Sequence, residues 1–245
     1  MNDLYNMIFK RKSFRRFKSS KSLSTNDLQE IQNQLTKLKP LKENITVKYR
    51  IVQKEKTTCK RGEFCLLVYS ETKEHYLLNI GYMLEQLDLW MASKDIGVCW
   101  YGMGKTNELE YEGLPFVIML AFGKGDKEEF RQDYTKAKRK KIEEIWKGEI
   151  LQNIGNVVRF APSACNTQPW VVENMSNHLN IYRDSKKKSM MPKSKVTFFN
   201  TIDMGIFICF LEIVLKHEKY NFDRLLCEEN LAKREKIKIA EYILS

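Results

Sequence analysis

Hydrophobic positions recur with helical spacing at the start of the chain, where Leu4, Tyr5 and Ile8 share a face before the basic stretch 10–18 interrupts them. Ser24-Thr25-Asn26-Asp27 is an N-cap cluster, and Leu28, Ile31 and Leu35 behind it predict a second helix to about residue 38, stopped by Pro40. Alternation then takes over. Val47, Tyr49 and Ile51 fall on one side of a strand over 46–52, and 64–70 is a short apolar run of strand formers. From 74 to 94 the spacing is helical again, but apolar side chains from Tyr76 to Met91 surround the helix on nearly every side, which predicts burial all round. Two glycine-punctuated apolar runs, 97–102 and 115–122, read as strands, and the charged stretch 124–147 as a solvated helix or crossing arm.

A second pass of the same kind begins near Gly148. Residues 150–160 are helical in pattern, 169–173 and 179–182 read as strands, and 203–215 is another helix apolar on almost every side. The two buried helices share a local pattern: Gly81 precedes Leu87-Asp88-Leu89 by six to eight positions, and Gly205 precedes Leu211-Glu212-Ile213 by the same offsets. Each follows a strand, ending Val68-Tyr69-Ser70-Glu71 or Ile181-Tyr182-Arg183-Asp184. This internal repeat predicts two related α+β units, 1–147 and 148–245, whose apolar helices pack on each other about a pseudo-twofold axis, as in a dimer fused end to end.

Composition narrows the class. With 43% hydrophobic residues, only 11 Gly and 5 Pro over 245 residues, the chain is neither disordered nor low in complexity, and it is long enough to bury its own core. A net charge of +11 draws anionic ligands, nucleic acid or acidic lipid without choosing among them. The longest uninterrupted apolar stretches, 116–122 and 205–211, are short for a bilayer span, and Glu212 ends the second. The opening residues lack the basic flank and long apolar core of a secretion signal, so a cytoplasmic location is expected. Six cysteines form no C-x-x-C pair and lie away from the three histidines, so no metal site is expected and the thiols read as reduced and mostly buried.

Two segments carry candidate chemistry. Arg11-Lys12-Ser13-Phe14-Arg15-Arg16 places three guanidinium groups, an ammonium and a hydroxyl within six residues, a set that suits a phosphate but taken alone reads first as a solvated basic surface. In Ala161-Pro162-Ser163-Ala164-Cys165-Asn166-Thr167-Gln168-Pro169-Trp170, two prolines fix the backbone while small residues leave room beside it. Such a turn admits a planar ligand close to main chain, within reach of Ser163 and Asn166, or serves simply as a rigid connection. Lys186-Lys187-Lys188 reads as a solvated loop.

The 161–170 string, running into a strand at Val171, closely resembles the signature of the nitroreductase-like FMN oxidoreductases. Arg11-Lys12-Ser13-Phe14-Arg15 resembles the same family's N-terminal flavin-phosphate motif. Asp95-Ile96-Gly97-Val98-Cys99-Trp100-Tyr101-Gly102 is similar to its glycine-containing strand after the central helix, and Arg139-Lys140-Lys141-Ile142-Glu143-Glu144-Ile145 to the basic segment that closes its catalytic unit. The resemblance implies an α+β nitroreductase-like fold with antiparallel-rich sheets and FMN as cofactor. Carried over by position, Arg11, Lys12, Ser13 and Arg15 would hold the ribityl phosphate, with Arg139 or Lys140 adding charge. Pro162, Ser163, Ala164 and Asn166 would border the ring with Gln168 as a helper, and Gly102 and Met103 would lie by backbone near flavin N5. Cys99 and Cys165 would lie near the cofactor as packing residues.

The order of the motifs departs from the family's. In an ordinary member the phosphate motif and the proline-serine-asparagine turn stand close together, and a homodimer combines one from each subunit. Here they are about 150 residues apart; 38–44 reads Leu-Lys-Pro-Leu-Lys-Glu-Asn without the turn pattern, and no basic-serine-basic motif precedes Ile154. Each half keeps what the other lacks, which resembles the single-chain "TM nitroreductase" branch with one complete flavin site and one decayed. The implied reaction is ping-pong: NADH or NADPH reduces FMN, and a nitroaromatic, quinone or similar small-molecule acceptor reoxidises it, with no side chain as catalytic acid or base. The implied protein is a monomeric pseudo-dimer engaging neither nucleic acid nor membrane. Two alternatives stand beside it: a flavin-storing or flavin-sensing protein without turnover, and a basic nucleic-acid-binding protein, motivated by net charge and Lys138-Arg139-Lys140-Lys141.

Overall fold

The computed structural model describes residues 4–185, 190–228 and 235–245, so the Lys186-Lys187-Lys188 loop lies outside the described residues. Spatially the chain divides into two units. The first comprises Phe9–Tyr76 and Met83–Tyr134; the second comprises the described residues of Met1–Ile8, Leu77–Tyr82 and Thr135–Ser245. Residues 135–147 therefore pack with the chain that follows them. Helices α1 (Tyr5–Lys10) and α3 (Tyr76–Ser93) each contribute residues to both units.

In the first unit, α2 (Thr25–Leu35) opens on a capping box in which the Ser24 side chain accepts from Asp27 N–H and the Asp27 carboxylate accepts from Ser24 N–H. The helix stops before residue 38. Thr36 caps it, its hydroxyl donating to Asn33 O at 2.9 Å, and Leu38 and Leu41 are buried as anchors of the following loop. Strands β1 (Val47–Gln53), β2 (Phe64–Ser70), β5 (Leu114–Lys124) and β3 (Ile96–Trp100) lie side by side in that order, all antiparallel, with the short β4 (Glu110–Tyr111) on β5. Strand β2 reads as an unbroken apolar run because both its faces are covered: Cys65, Leu66, Leu67, Val68 and Tyr69 are each at 0% exposure.

The second unit's sheet runs β6 (Trp146–Gly148), β7 (Trp170–Met175), β8 (His178–Asp184), β10 (Lys236–Leu244), β9 (Phe222–Leu226), with β6 parallel to β7 and the rest antiparallel. Within 124–147 there is no long helix: two 3₁₀ turns, the four-residue α4 (Ile142–Ile145) and β6 make it an arm. After α5 (Gln152–Val158), helix α6 (Lys193–His217) starts ten residues before the expected 203, because its first turns are polar and only the stretch Phe199 to Leu215 is buried. Trp170 stacks on Phe207 with ring centroids 5.0 Å apart. The hydrophobic pattern had not marked β9 or β10.

The first turns of α3 pack on α6 through two glycines. A Cβ at Gly81 would stand 2.1 Å from Ile202 O, and one at Gly205 2.1 Å from Leu78 O, so neither position tolerates a side chain without backbone movement. The contact is reciprocal, each glycine meeting the carbonyl three residues before the other. Among the described residues α6 is the one helix long and apolar enough to cross a membrane, with mean hydropathy 1.9 over its most apolar stretch; 94% of that stretch is buried within the protein. Counting uninterrupted apolar runs missed this, because Asp203 and Glu212 lie inside the helix as buried, hydrogen-bonded groups.

Candidate functional site

Just after α1 the basic segment is laid against β3. Arg11 turns inward: it is 4% exposed, and its Nε and Nη2 both donate to Asp88 Oδ2 at 2.9 and 2.7 Å, with Glu85 Oε1 at 3.8 Å. Trp100 Nε1 donates to the same Asp88 oxygen at 3.1 Å. Burial works to lower the Arg11 pKa, but Asp88 and Glu85 outweigh it and hold the guanidinium above its ordinary value. A phosphate contact is expected of Arg11 from the sequence; its Nε and Nη2 are committed to Asp88 on α3, so it anchors the segment.

Phe14 is the second inward residue. Its N–H donates to Val98 O at 2.8 Å, and its ring lies 2.2 Å from where a Cβ on Gly97 would be, so the glycine in β3 is what seats it. With Arg11 and Phe14 held, Ser13 and Arg15 are exposed and Lys12 is half-buried. They line one side of a groove of about 570 Å³ whose other side carries Asp126, Glu128 and Glu129. Beneath Ser13 lies the buried Cys99, whose sulfur accepts from Arg61 Nη1 at 3.0 Å. Past its end β3 becomes a turn closed by Gly104 N–H donating to Tyr101 O at 3.0 Å, with Gly102 and Met103 as its central residues and Met103 64% exposed.

The second group gathers around the 161–168 turn. Cys165, Asn166 and Gln168 all have left-handed φ, at 50°, 54° and 50°, a conformation that costs a non-glycine residue about 1–3 kcal/mol each and persists only where surroundings impose it. Hydrogen bonds from four side chains impose it here. Ser163 Oγ accepts from Gln168 N–H at 2.9 Å. Both Asp203 oxygens accept from Ala164 N–H, at 3.0 and 3.2 Å. From the arm, Arg139 Nη1 donates to Asn166 Oδ1 and Nη2 to Phe160 O, each at 3.1 Å, while Lys140 Nζ donates to Thr167 O and Gln168 O at 2.9 and 3.0 Å.

Arg139 and Lys140 were expected to add charge at a phosphate; their hydrogen bonds instead clamp this turn. The same bonds occupy two of the four basic residues that motivated a nucleic-acid reading. Asp203 is buried on α6, and burial raises its carboxyl well above the ordinary aspartate value against the opposing Ala164 N–H. It was missed as a site residue, although an acid in an otherwise apolar helix was a legible signal. All six cysteines are free; Cys165 alone is exposed, so it is no packing residue.

A family model described as "Putative TM nitroreductase" matches residues 3–215. The chain belongs to this family. The fold of this nitroreductase-family chain is also that of a solved "putative nitroreductase" from Thermotoga maritima MSB8, with TM-score 0.67 and 18% identity over 98% of this chain and 93% of that one. A nitroreductase family protein from Clostridium novyi NT matches at TM-score 0.40 and 17% identity, over 54% of this chain and 89% of that one. A nitroreductase-like family protein from Bacillus cereus matches at the same score and identity, over 61% and 96%. No curated protein sequence matches.

Proposed function

We propose that this nitroreductase-family chain is an FMN-dependent NAD(P)H oxidoreductase acting on an electron-poor small molecule such as a nitroaromatic or quinone. The observation that carries the reading is the strained turn at 164–168, over-determined by Ser163, Asp203, Arg139 and Lys140, since backbone strain held from several sides concentrates at ligand sites. The residues fit a flavin mononucleotide. Ser13 and Arg15 offer a hydroxyl and a guanidinium from a segment already fixed by Arg11 and Phe14, so little ordering is lost when a phosphate is bound, and Lys12 adds charge. Pro162 and Ala164 leave the main chain open to a planar ring, and Asn166, exposed and held by Arg139, keeps an amide N–H for it. Gly102 and Met103 offer main-chain donors at the exposed turn after β3. FMN, when bound, supplies hydride exchange between the nicotinamide and the acceptor; the protein binds, orients and excludes water.

We further infer that the chain is a fused pseudo-dimer, for which the reciprocal Gly81 and Gly205 contact is the support; a monomeric state in solution and a cytoplasmic location are proposed with it on the sequence reading alone. The test is reconstitution with FMN, removal of excess, and the visible spectrum read against protein concentration, followed by steady-state oxidation of NADH and NADPH with a quinone acceptor. One flavin per chain is expected. Arg15→Ala and Asn166→Ala should each weaken FMN binding about tenfold or more, and unchanged affinity in both would sink the reading.

A further inference from the structure

The cations at the end of α1 are not alike in how their charge is met. Lys10 Nζ bonds Asp95 Oδ1 at 2.6 Å, and Arg11 has Asp88 and Glu85. Arg131 is held beside them, its N–H donating to Lys10 O at 2.9 Å, while the preceding Phe130 packs on Phe14 with centroids 4.7 Å apart and lies under Lys10 Nζ at 4.8 Å. The Arg131 side chain is half-buried, yet among the described residues its guanidinium has no carboxylate within ion-pair distance and no hydrogen-bond acceptor. Burial, then the charge of Arg11, pushes that guanidinium down to about 10.

A half-buried guanidinium with no counter-charge among the described residues, carried on a main chain held by Lys10 O and by the packing of the neighbouring Phe130, is a receptor for an oxyanion, and its planar fork matches phosphate better than a lone ammonium does. We propose that Arg131 forms an anion subsite for a phosphate monoester, beside the segment that carries Ser13. Only the identity of the phosphate's carrier rests on the flavin reading: the monoester belongs to FMN or to the 2′-position of NADPH, and the chemistry at Arg131 is the same for both. Nothing in the charged stretch around residue 131 marks this arginine in the sequence; its lack of a partner is a product of the fold.

Arg131→Met, with Arg131→Lys as the charge-preserving control, tests this against FMN, riboflavin and inorganic phosphate. Loss of a charged hydrogen-bonding partner should weaken FMN roughly ten- to a hundredfold while leaving riboflavin unchanged, with Arg131→Lys intermediate. It should also diminish the rise in Tm that inorganic phosphate gives the wild-type protein. If FMN is unaffected but the KM for NADPH rises while that for NADH does not, the subsite stands and the nicotinamide supplies the phosphate. If the phosphate shift, the FMN-to-riboflavin ratio and the NADPH-to-NADH ratio are all unchanged in Arg131→Met, the inference is wrong. Should the wild-type chain retain no flavin at all, the proposed function fails, and the Arg131-dependence of the inorganic phosphate shift alone decides the subsite.

Discussion

Asp88 and Glu212 stand seven residues after Gly81 and Gly205, each a buried carboxylate with an arginine on it, and they differ in what that arginine belongs to. Asp88 holds Arg11, the first residue of a run in which Ser13 and Arg15 are exposed. Glu212 accepts from Tyr82 Oη at 2.7 Å, Tyr242 Oη at 2.9 Å and Arg224 Nη1, and Arg224 lies on β9 at the edge of its sheet. Burial, reinforced by the Glu212 charge, raises both phenols, so the tyrosines stay neutral donors; burial alone would lower Arg224, but Glu212 outweighs it and raises it. One buried pair acts as a bracket for chemistry that faces outward. The other ties two core tyrosines to an edge strand of its own sheet.

The largest effects should come from cutting these pairs. Asp88→Leu and Glu212→Leu each strand a buried or half-buried arginine, and each should cost about 3–5 kcal/mol in urea unfolding, Glu212→Leu the more because two tyrosine hydroxyls also lose their acceptor. Measured where both variants remain folded, FMN affinity should fall in Asp88→Leu and hold in Glu212→Leu. Equal losses of FMN would erase the distinction drawn between the two carboxylates.

The glycines seven residues earlier test how far the likeness of the two helices extends into energy. Gly81→Ala and Gly205→Ala each drive a methyl group onto a backbone carbonyl, and each should destabilise by about 1–3 kcal/mol or more. The reciprocal geometry predicts similar losses of Tm, and tolerance of one alanine alone would show that the contact is symmetric in shape only.

The smallest expected effect sharpens the contrast with a third buried acid. Among the described residues Asp203 has no arginine and meets the Ala164 N–H instead, and its raised pKa means that the fold binds its proton more tightly than the unfolded chain does. Its contribution to stability is therefore complete below the ordinary aspartate value of 3.8 and is lost as pH rises through the raised one. Asp203→Asn, an uncharged mimic that keeps an acceptor for Ala164, should flatten this part of the Tm-against-pH curve. A curve of unchanged slope would mean that Asp203 ionises in the fold as readily as outside it.

Much of this molecule was legible from spacing alone. The capping box at Ser24, the apolar run of β2, the all-round burial of α3 and the glycine offsets shared with α6 all follow from local pattern, because caps, periodicities and close helix contacts are set by residues a few positions apart. The alternation of Ile237, Ile239 and Tyr242 in β10 was also present, but the register shift between Lys238 and Ala240 blurs it. The composition of the Arg11–Arg16 run and of the 161–170 turn pointed to binding chemistry for the same local reason. Which cations in those regions are committed and which are left was decided only by tertiary structure. Arg11, Arg139 and Lys140 look alike in sequence to Arg15 and Arg131, yet the first three found partners, on a carboxylate from α3 or on the carbonyls of a strained turn. Charge is written residue by residue, but its neutralisation depends on what the fold brings within about 4 Å, and that distance does not exist until the chain is folded.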